Sequence, residues 1–202
     1  MVLADATKPF KTLSNLPTWV PDWSQPLTSH TFSREENLLL PRWEASGSSV
    51  AHIIHNEDPS KLQLRGLRCD RVTRTALSGV EINEHLIRHQ LPSRLDLFGE
   101  GHKNFLTEDG RLGIGPQYVE VSDRVYILLG SRVPHLLRKA ENENEYFFVK
   151  ECHIYGLMRG EALLKARKTA DPSVSFYDTS TWLWSLRDLE EMPFETEDVI
   201  LI

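Results

Sequence analysis

The chain has 202 residues, 40% of them hydrophobic and 26% charged, which is enough for a folded core and excludes a disordered polymer. Lys and Arg total 23 against 29 Asp and Glu, a formal net charge of −6, and this acidic balance disfavours nucleic acid and anionic lipid as partners of the surface as a whole. Length and composition together favour one globular domain or two small ones.

Residues 14–46 are rich in Trp, Pro and Ser, and their prolines exclude a continuous helix. The segment predicts an extended stretch whose large aromatic side chains, Trp19, Trp23 and Trp43, pack across the domain that follows. An exposed aromatic binding site is the alternative interpretation. Trp19 and Trp23 are its candidate binding residues.

Residues 49–55 and 61–75 predict a β-hairpin, because a turn-forming stretch separates two runs of strand-forming residues. Leu62 and Leu64 alternate with polar residues, whereas the next apolar positions begin at Leu67. One extra residue moves every later side chain to the other face of a strand. The change of parity therefore predicts a bulge at Gly66.

The apolar spacing over 81–90 predicts a short helix that ends before Pro92. His85 and His89 lie four apart on that helix, which is the spacing of a zinc-protease helix. The glutamate that must act as the general base between them is missing, so we expect a solvated or packed histidine pair and no metal site.

Asp109-Gly110 lies between two apolar runs, residues 104–108 and 111–114, and predicts a hairpin with a two-residue loop. Residues 113–116 read Gly-Ile-Gly-Pro. This stretch is too short for a dinucleotide fingerprint and has proline where a helix-opening donor is needed, so it predicts a tight turn rather than a phosphate-binding loop.

Three further strands are predicted at 124–129, 133–138 and 145–152, followed by a short helix over 161–168. Two of these strands contain continuous apolar runs, which are typical of strands covered on both faces. The expected fold class is α+β: mostly antiparallel β, with a small barrel-like or curved meander core, short helices and the Trp-rich N-terminal segment.

The predicted domain organisation has three parts. Residues 1–15 form an N-terminal lead, 16–168 a single β-rich domain, and 169–202 a C-terminal docking tail. The tail contains Trp182 and Trp184 and ends in the apolar stretch 199–202.

No residue is assigned a catalytic role, and no cofactor is predicted. Cys152 and His153 are adjacent, and successive strand residues point to opposite faces, so they do not form a nucleophile and its base. Cys69 and Cys152 are expected to be buried thiols. The rival interpretation is an enzyme whose pocket is assembled from dispersed residues, such as Asp70, Glu108, His135 and Glu151.

Arginines recur at every third position of one predicted strand: Arg65, Arg68, Arg71 and Arg74. On a flat strand they alternate between faces, although a bulge can gather some of them on one side. They predict either a solvated strand edge protected by charge or a basic patch that reads a small ligand or nucleic acid. Arg65 and Arg68 are the candidate binding residues of the second interpretation.

The chain contains three further signatures, Leu16 to Ser24, Phe105 to Pro116 and Gly156 to Leu163. They resemble the region that follows the effector domain in fungal heterokaryon-incompatibility proteins. The family pattern apolar-Arg-Gly-apolar-Arg-x-Asp is matched by Leu64-Arg65-Gly66-Leu67-Arg68-Cys69-Asp70. Ser122 stands where the family often has Gly. The family's effector domain, which is similar to Toll-receptor-type domains, precedes the first signature, and about fifteen residues precede it here.

The resemblance implies a role in nonself recognition and programmed cell death. We expect a non-enzymatic accessory or regulatory module that acts through protein contacts, with an effector-domain-containing relative as its partner. The N-terminus lacks the pattern of a secretory signal, and the longest apolar run is too short to cross a bilayer. The expected location is therefore the cytoplasm, without a membrane partner.

Overall fold

The computed structural model describes residues 13, 15–24, 43–47, 49–54, 56–88, 101–163 and 196–202. Trp182, Trp184, His89, Pro92 and most of the helix predicted over 161–168 lie outside the described residues. The elements in chain order are β1 Ile53–Ile54, β2 Leu62–Thr75, α1 Gly79–Arg88, β3 His102–Thr107, β4 Leu112–Pro116, β5 Arg124–Leu128, β6 His135–Lys139, β7 Glu145–Glu151, β8 His153–Ile154 and β9 Thr196–Leu201.

Strand β2 is 14 residues long and has partners on both edges. One edge pairs first with β1 and then with β5, and the other pairs first with β9 and then with β3. Since β5 pairs with β6, β6 with β7 and β7 with β9, five strands form a closed ring of pairings, β2–β5–β6–β7–β9. Of these contacts only β7 with β9 is parallel. The predicted mostly antiparallel β structure with little helix is confirmed.

The ring encloses a core to which each of its strands contributes. Its members are fully or almost fully buried: Leu64, Tyr126, Leu128, Leu137, Tyr146, Phe148, Val199 and Leu201. A second cluster lies outside the ring, beneath the extension formed by β3, β4 and β8. A third cluster joins β2 and β5 to residues 45 and 163. The predicted coverage of both faces of residues 125–129 is therefore confirmed, since all five are buried.

The hairpin predicted between 49–55 and 61–75 is confirmed, because β1 pairs antiparallel with β2. The bulge predicted at Gly66 is wrong. Leu64 packs inside the ring and Leu67 packs outside it, so the change of parity reflects a strand with both faces buried. The slip in register lies further along, between Arg68 and Asp70.

The hairpin at Asp109-Gly110 is confirmed, with β3 and β4 as its strands. Its loop has three residues rather than two, because the Thr107 amide donates to the Arg111 carbonyl at 3.0 Å and the Gly110 amide to the Thr107 carbonyl at 3.0 Å. In the loop only Gly110 has a positive φ, +74°. One left-handed residue after a tight turn is typical of a three-residue loop.

The tight turn predicted at 113–116 is also wrong, because these residues belong to strand β4. Gly113 lies directly opposite Phe105 across the hairpin. A Cβ on Gly113 would lie 2.3 Å from the Phe105 ring, and one on Gly115 would lie 3.1 Å from it. The two glycines therefore make room for a fully buried aromatic ring.

Helix α1 is confirmed over its described residues and begins with a reciprocal cap. The Ser78 amide donates to the Glu81 carboxylate at 2.9 Å, and the Glu81 amide donates to the Ser78 hydroxyl at 3.3 Å. Ile82 and Leu86 are buried, whereas Val80 and Ile87 are exposed. Within the described residues, no helix is both long and apolar enough to span a bilayer.

Ser122, in the turn before β5, has a φ of +78°. A left-handed backbone costs a residue with a Cβ roughly 1–2 kcal/mol. The Ser122 amide nevertheless donates to the Val72 carbonyl at 2.8 Å, so the turn before β5 keeps its contact with β2.

We expect Gly113→Ala to lower the free energy of unfolding by roughly 1–3 kcal/mol, because the new methyl group would overlap the Phe105 ring in a closed core. Gly79→Ala is the matched control: a Cβ there meets no atom within 4 Å. Urea denaturation of both variants measures the difference. Equal stabilities would contradict the packing described for β3 and β4.

Candidate functional site

A cavity of about 370 Å³ opens beside β2, where its edge passes from β9 to β3. Its lining carries both charges: Arg68, Cys69, Asp70, Arg71, Glu108, Asp109 and Arg124. We refer to it as the β2 pocket. Its volume falls within the range of small-ligand sites.

The slip in register between Arg68 and Asp70 decides which side chains share a face of the sheet. Arg68 pairs with Tyr126 and Arg71 with Arg124. Directly opposed residues lie on the same face, as do residues two apart on one strand. Three guanidinium groups, those of Arg68, Arg71 and Arg124, therefore project from the face that encloses the ring core, although a flat strand would separate Arg68 from Arg71.

A chain of hydrogen bonds connects Arg124 to the inside of the ring. Arg124 donates to the Tyr146 hydroxyl at 2.9 Å, and the Tyr146 hydroxyl lies 3.0 Å from that of Tyr126. The Tyr126 hydroxyl donates to the Glu197 carboxylate. Burial, together with the bonds to Glu197 and Tyr146, raises the pKa of Tyr126 far above its usual range, so this hydroxyl stays protonated. The chain runs from a cation to an anion and holds the Arg124 side chain in place.

The arginine row of β2 is unevenly paired. Arg65 contacts Asp198 at 3.3 Å, Arg71 contacts Glu108 at 3.0 Å and Arg74 contacts Glu81 at 2.5 Å. Among the described residues, Arg68 has no carboxylate partner. Most of the row thus forms ion pairs along the strand, and Arg68 contributes its charge to the β2 pocket.

The carboxylates at the other end of the pocket share one cation. Arg111 contacts Asp70 at 2.6 Å and Asp109 at 2.7 Å. Only 1% of the Asp70 side chain is exposed, against 48% for Asp109. Asp70 also accepts the Arg71 amide at 2.8 Å and the Asp109 amide at 3.3 Å. It therefore joins the β3–β4 loop to β2.

The four residues of the rival enzyme interpretation do not meet. Asp70 and Glu108 line the β2 pocket, whereas His135 and Glu151 are buried and paired with each other across β6 and β7. Burial lowers the pKa of His135 to about 3, so its imidazole is neutral at physiological pH. Asp70 lies on β2 and Glu108 in the β3–β4 loop, whereas His135 and Glu151 lie opposite each other on β6 and β7.

Both cysteines are held as neutral thiols. Burial raises the pKa of Cys69 to about 12. Burial and the neighbouring Glu151 raise the pKa of Cys152 well above its usual value. A thiolate is the nucleophilic form, so neither side chain is activated for attack. In the part of the chain that the structure describes, no group of three or more His, Cys, Asp or Glu side chains could hold a metal ion.

The N-terminal aromatic segment lies against one end of the ring. The Thr18 amide donates to the Ile202 carbonyl at 2.9 Å, and the Thr18 hydroxyl accepts the Phe148 amide at 2.8 Å. Trp19 packs on the ring core and donates to the Ser60 carbonyl at 3.2 Å. Trp23 follows in a tight turn and is 63% exposed. The two candidate tryptophans therefore differ: Trp19 is half-buried and Trp23 faces solvent.

Sequence reasoning singled out Arg68 but missed Arg124, Tyr126, Tyr146 and Glu197. The signal was weak: each tyrosine stands in an otherwise apolar run, and only the hydroxyl distinguishes it from a core aromatic. Glu197 lies in the tail, where no strand was predicted. Its position beside Tyr126 depends on β9 pairing with β2, which no local pattern indicates.

Residues 94–177 match the family model of the Het-6 beta-barrel domain. Over 64 residues, 31% of this chain, the sequence is 34% identical to heterokaryon incompatibility protein 6, OR allele, of Neurospora crassa. The chain is related to the heterokaryon-incompatibility proteins. The chain covers 9% of the length of the Neurospora protein. No solved structure matches the chain. The family match contains Glu108, Asp109 and Arg124 of the pocket, whereas Arg68 to Arg71 precede it.

We expect Asp70→Asn to lower the free energy of unfolding of this protein by about 2 kcal/mol, because it removes a buried charged acceptor of three donors. Asp109→Asn changes an exposed partner of the same arginine and should cost about 0.5 kcal/mol or less. Urea denaturation of both variants at pH 7 tests this. A larger loss in the second variant would contradict the role given to Asp70.

His135 predicts a pH dependence. Its folded pKa of about 3 lies below the ordinary value of 6.5, so protonation favours the unfolded chain. The stability this histidine contributes is complete above pH 6.5 and is lost as pH falls towards 3. When the pH falls from 7 to 5, the wild-type protein should lose about 2 kcal/mol more unfolding free energy than the His135→Gln variant. His85→Gln, on α1, controls for the removal of a histidine. Between pH 7 and pH 5 this variant should lose more unfolding free energy than His135→Gln.

Proposed function

We propose that this chain is a non-enzymatic module in heterokaryon incompatibility and acts through protein contacts. Its sequence relationship to a heterokaryon incompatibility protein supports the cellular role. The presentation of Trp23 supports the mode of action. We also propose that the closed ring of pairings is the small barrel of this family, and that the protein acts in the cytoplasm.

Trp23 is exposed on a segment that is held in place. Four residues earlier, the contacts of Trp19 and the hydrogen bonds of Thr18 join the segment to the ring. Asp22 accepts both the amide and the hydroxyl of Ser24, at 3.0 and 2.6 Å, and closes the turn that carries Trp23. An indole presented on an ordered turn loses little conformational entropy on binding. Tryptophan is also enriched among residues that dominate binding energy.

The states of the reactive groups support binding over catalysis. The candidate thiols are neutral, His135 is neutral and enclosed, and the pocket carboxylates Asp70 and Glu108 are paired with arginines. Each of these two carboxylates already has a guanidinium partner, so its oxygens are engaged in an ion pair. Within the described residues, these groups are arranged to hold charges in place. The proposed partner is a relative that carries the effector domain.

The decisive experiment separates the two tryptophans. Trp23→Ala should weaken binding to an effector-domain-containing incompatibility protein by roughly 2 kcal/mol or more, while the melting temperature is unchanged. Trp19→Ala should lower the melting temperature, because it removes packing from the ring core. Isothermal titration calorimetry and thermal unfolding of both variants measure these effects.

Val121→Ala is the matched control, because Val121 is another exposed apolar residue, on the loop before β5. It should leave both affinity and melting temperature unchanged. Unaltered affinity of Trp23→Ala would reject protein contact through the aromatic segment. Killing of fungal cells by the isolated chain, abolished by a carboxylate or histidine substitution that preserves stability, would favour the enzyme instead.

A further inference from the structure

We infer that the β2 pocket is a binding site for a small oxyanion, a phosphate or carboxylate group held by Arg68, Arg71 and Arg124. The three side chains converge on one cavity. Three guanidinium groups from β2 and β5 lie on one face of the sheet and line one cavity of about 370 Å³. Arginine offers several donors in a planar fork that matches phosphate and carboxylate oxygens.

The charges that line the β2 pocket are unevenly paired. Asp70 and Asp109 contact Arg111, and Glu108 contacts Arg71. Arg68 lines the same cavity without a carboxylate partner among the described residues. Arg68 and Arg124 lie on one face of the sheet, and an anion between them relieves the repulsion between their charges. The pocket is thus positive at the end formed by Arg68 and Arg124.

One arginine of the pocket is fixed in place, and another can exchange its partner. The Tyr146 hydroxyl holds Arg124, and the bond from Tyr126 to Glu197 continues that chain inside the ring. Arg71 instead pairs with Glu108, and both side chains are about half exposed. Exposed ion pairs are weak. An entering anion can therefore replace Glu108 as the partner of Arg71, and Glu108 acts as a competing internal carboxylate.

The source of the anion is either a free small molecule or an anionic side chain of a partner, and the test includes both. The full-length ¹⁵N-labelled protein is titrated at constant ionic strength with inorganic phosphate, with L-glutamate, and with a peptide in which a phosphoserine is flanked by uncharged residues. Saturable shifts of the backbone amides of residues 66–71 and 124–128 are expected with at least one probe. A peptide that binds more tightly than free phosphate would indicate a partner side chain, and the reverse a free ligand.

Two variants give opposite expected changes. Arg68→Gln should weaken binding about tenfold, whereas Arg65→Gln, a matched arginine on the same strand that pairs with Asp198 outside the pocket, should not. Glu108→Gln should strengthen binding about threefold, because it removes the competing carboxylate. Thermal unfolding verifies that all three variants fold.

Three results would overturn the proposal: no saturable binding of any probe, equal weakening by Arg65→Gln and Arg68→Gln, or unchanged affinity in Glu108→Gln. The last would show that Arg71 takes no part. These outcomes are independent of the Trp23 experiment, because the aromatic segment does not line the β2 pocket.

Discussion

Both edges of β2 are paired, and the remaining structure depends on that double pairing. A strand edge exposes unpaired amide and carbonyl groups, and here β9 and β3 cover one edge while β1 and β5 cover the other. The ring closes only because β9, from the end of the chain, lies between β2 and β7. Its Val199 and Leu201 complete a core that the other strands leave open. The C-terminal strand is therefore a structural part of the ring.

Closure of the ring also determines the positions of the aromatic segment that carries Trp23 and of the β2 pocket. The hydroxyl and amide of Thr18 bond to Ile202, at the end of β9, and to Phe148 on β7. The position of the aromatic segment, and with it Trp23, thus depends on β9. Glu197, on the same strand, ends the hydrogen-bond chain that begins at Arg124. A change that displaced β9 would disturb the segment and the pocket together.

The register slip between Arg68 and Asp70 decides which charged side chains of β2 share a face. It places Arg71 on the face of Arg68 and leaves Asp70 buried against Arg111 on the other. Without the slip, the strand's alternation would separate the two arginines. One extra residue in β2 thus places the arginines on one face of the strand and the buried Asp70–Arg111 ion pair on the other. Bulges near functional sites commonly redirect side chains in this way.

The sequence alone determined the features that depend on neighbouring residues. Asp109-Gly110 specified a hairpin, the apolar spacing specified α1, and continuous apolar runs specified strands covered on both faces. The sequence did not place the bulge, because a buried Leu67 gives the same apolar pattern whether the strand has a bulge or has both of its faces buried. It could not show Gly113 as space for Phe105, nor β9 as a ring strand. Those depend on contacts between residues far apart in the chain, and only the tertiary structure brings such residues together.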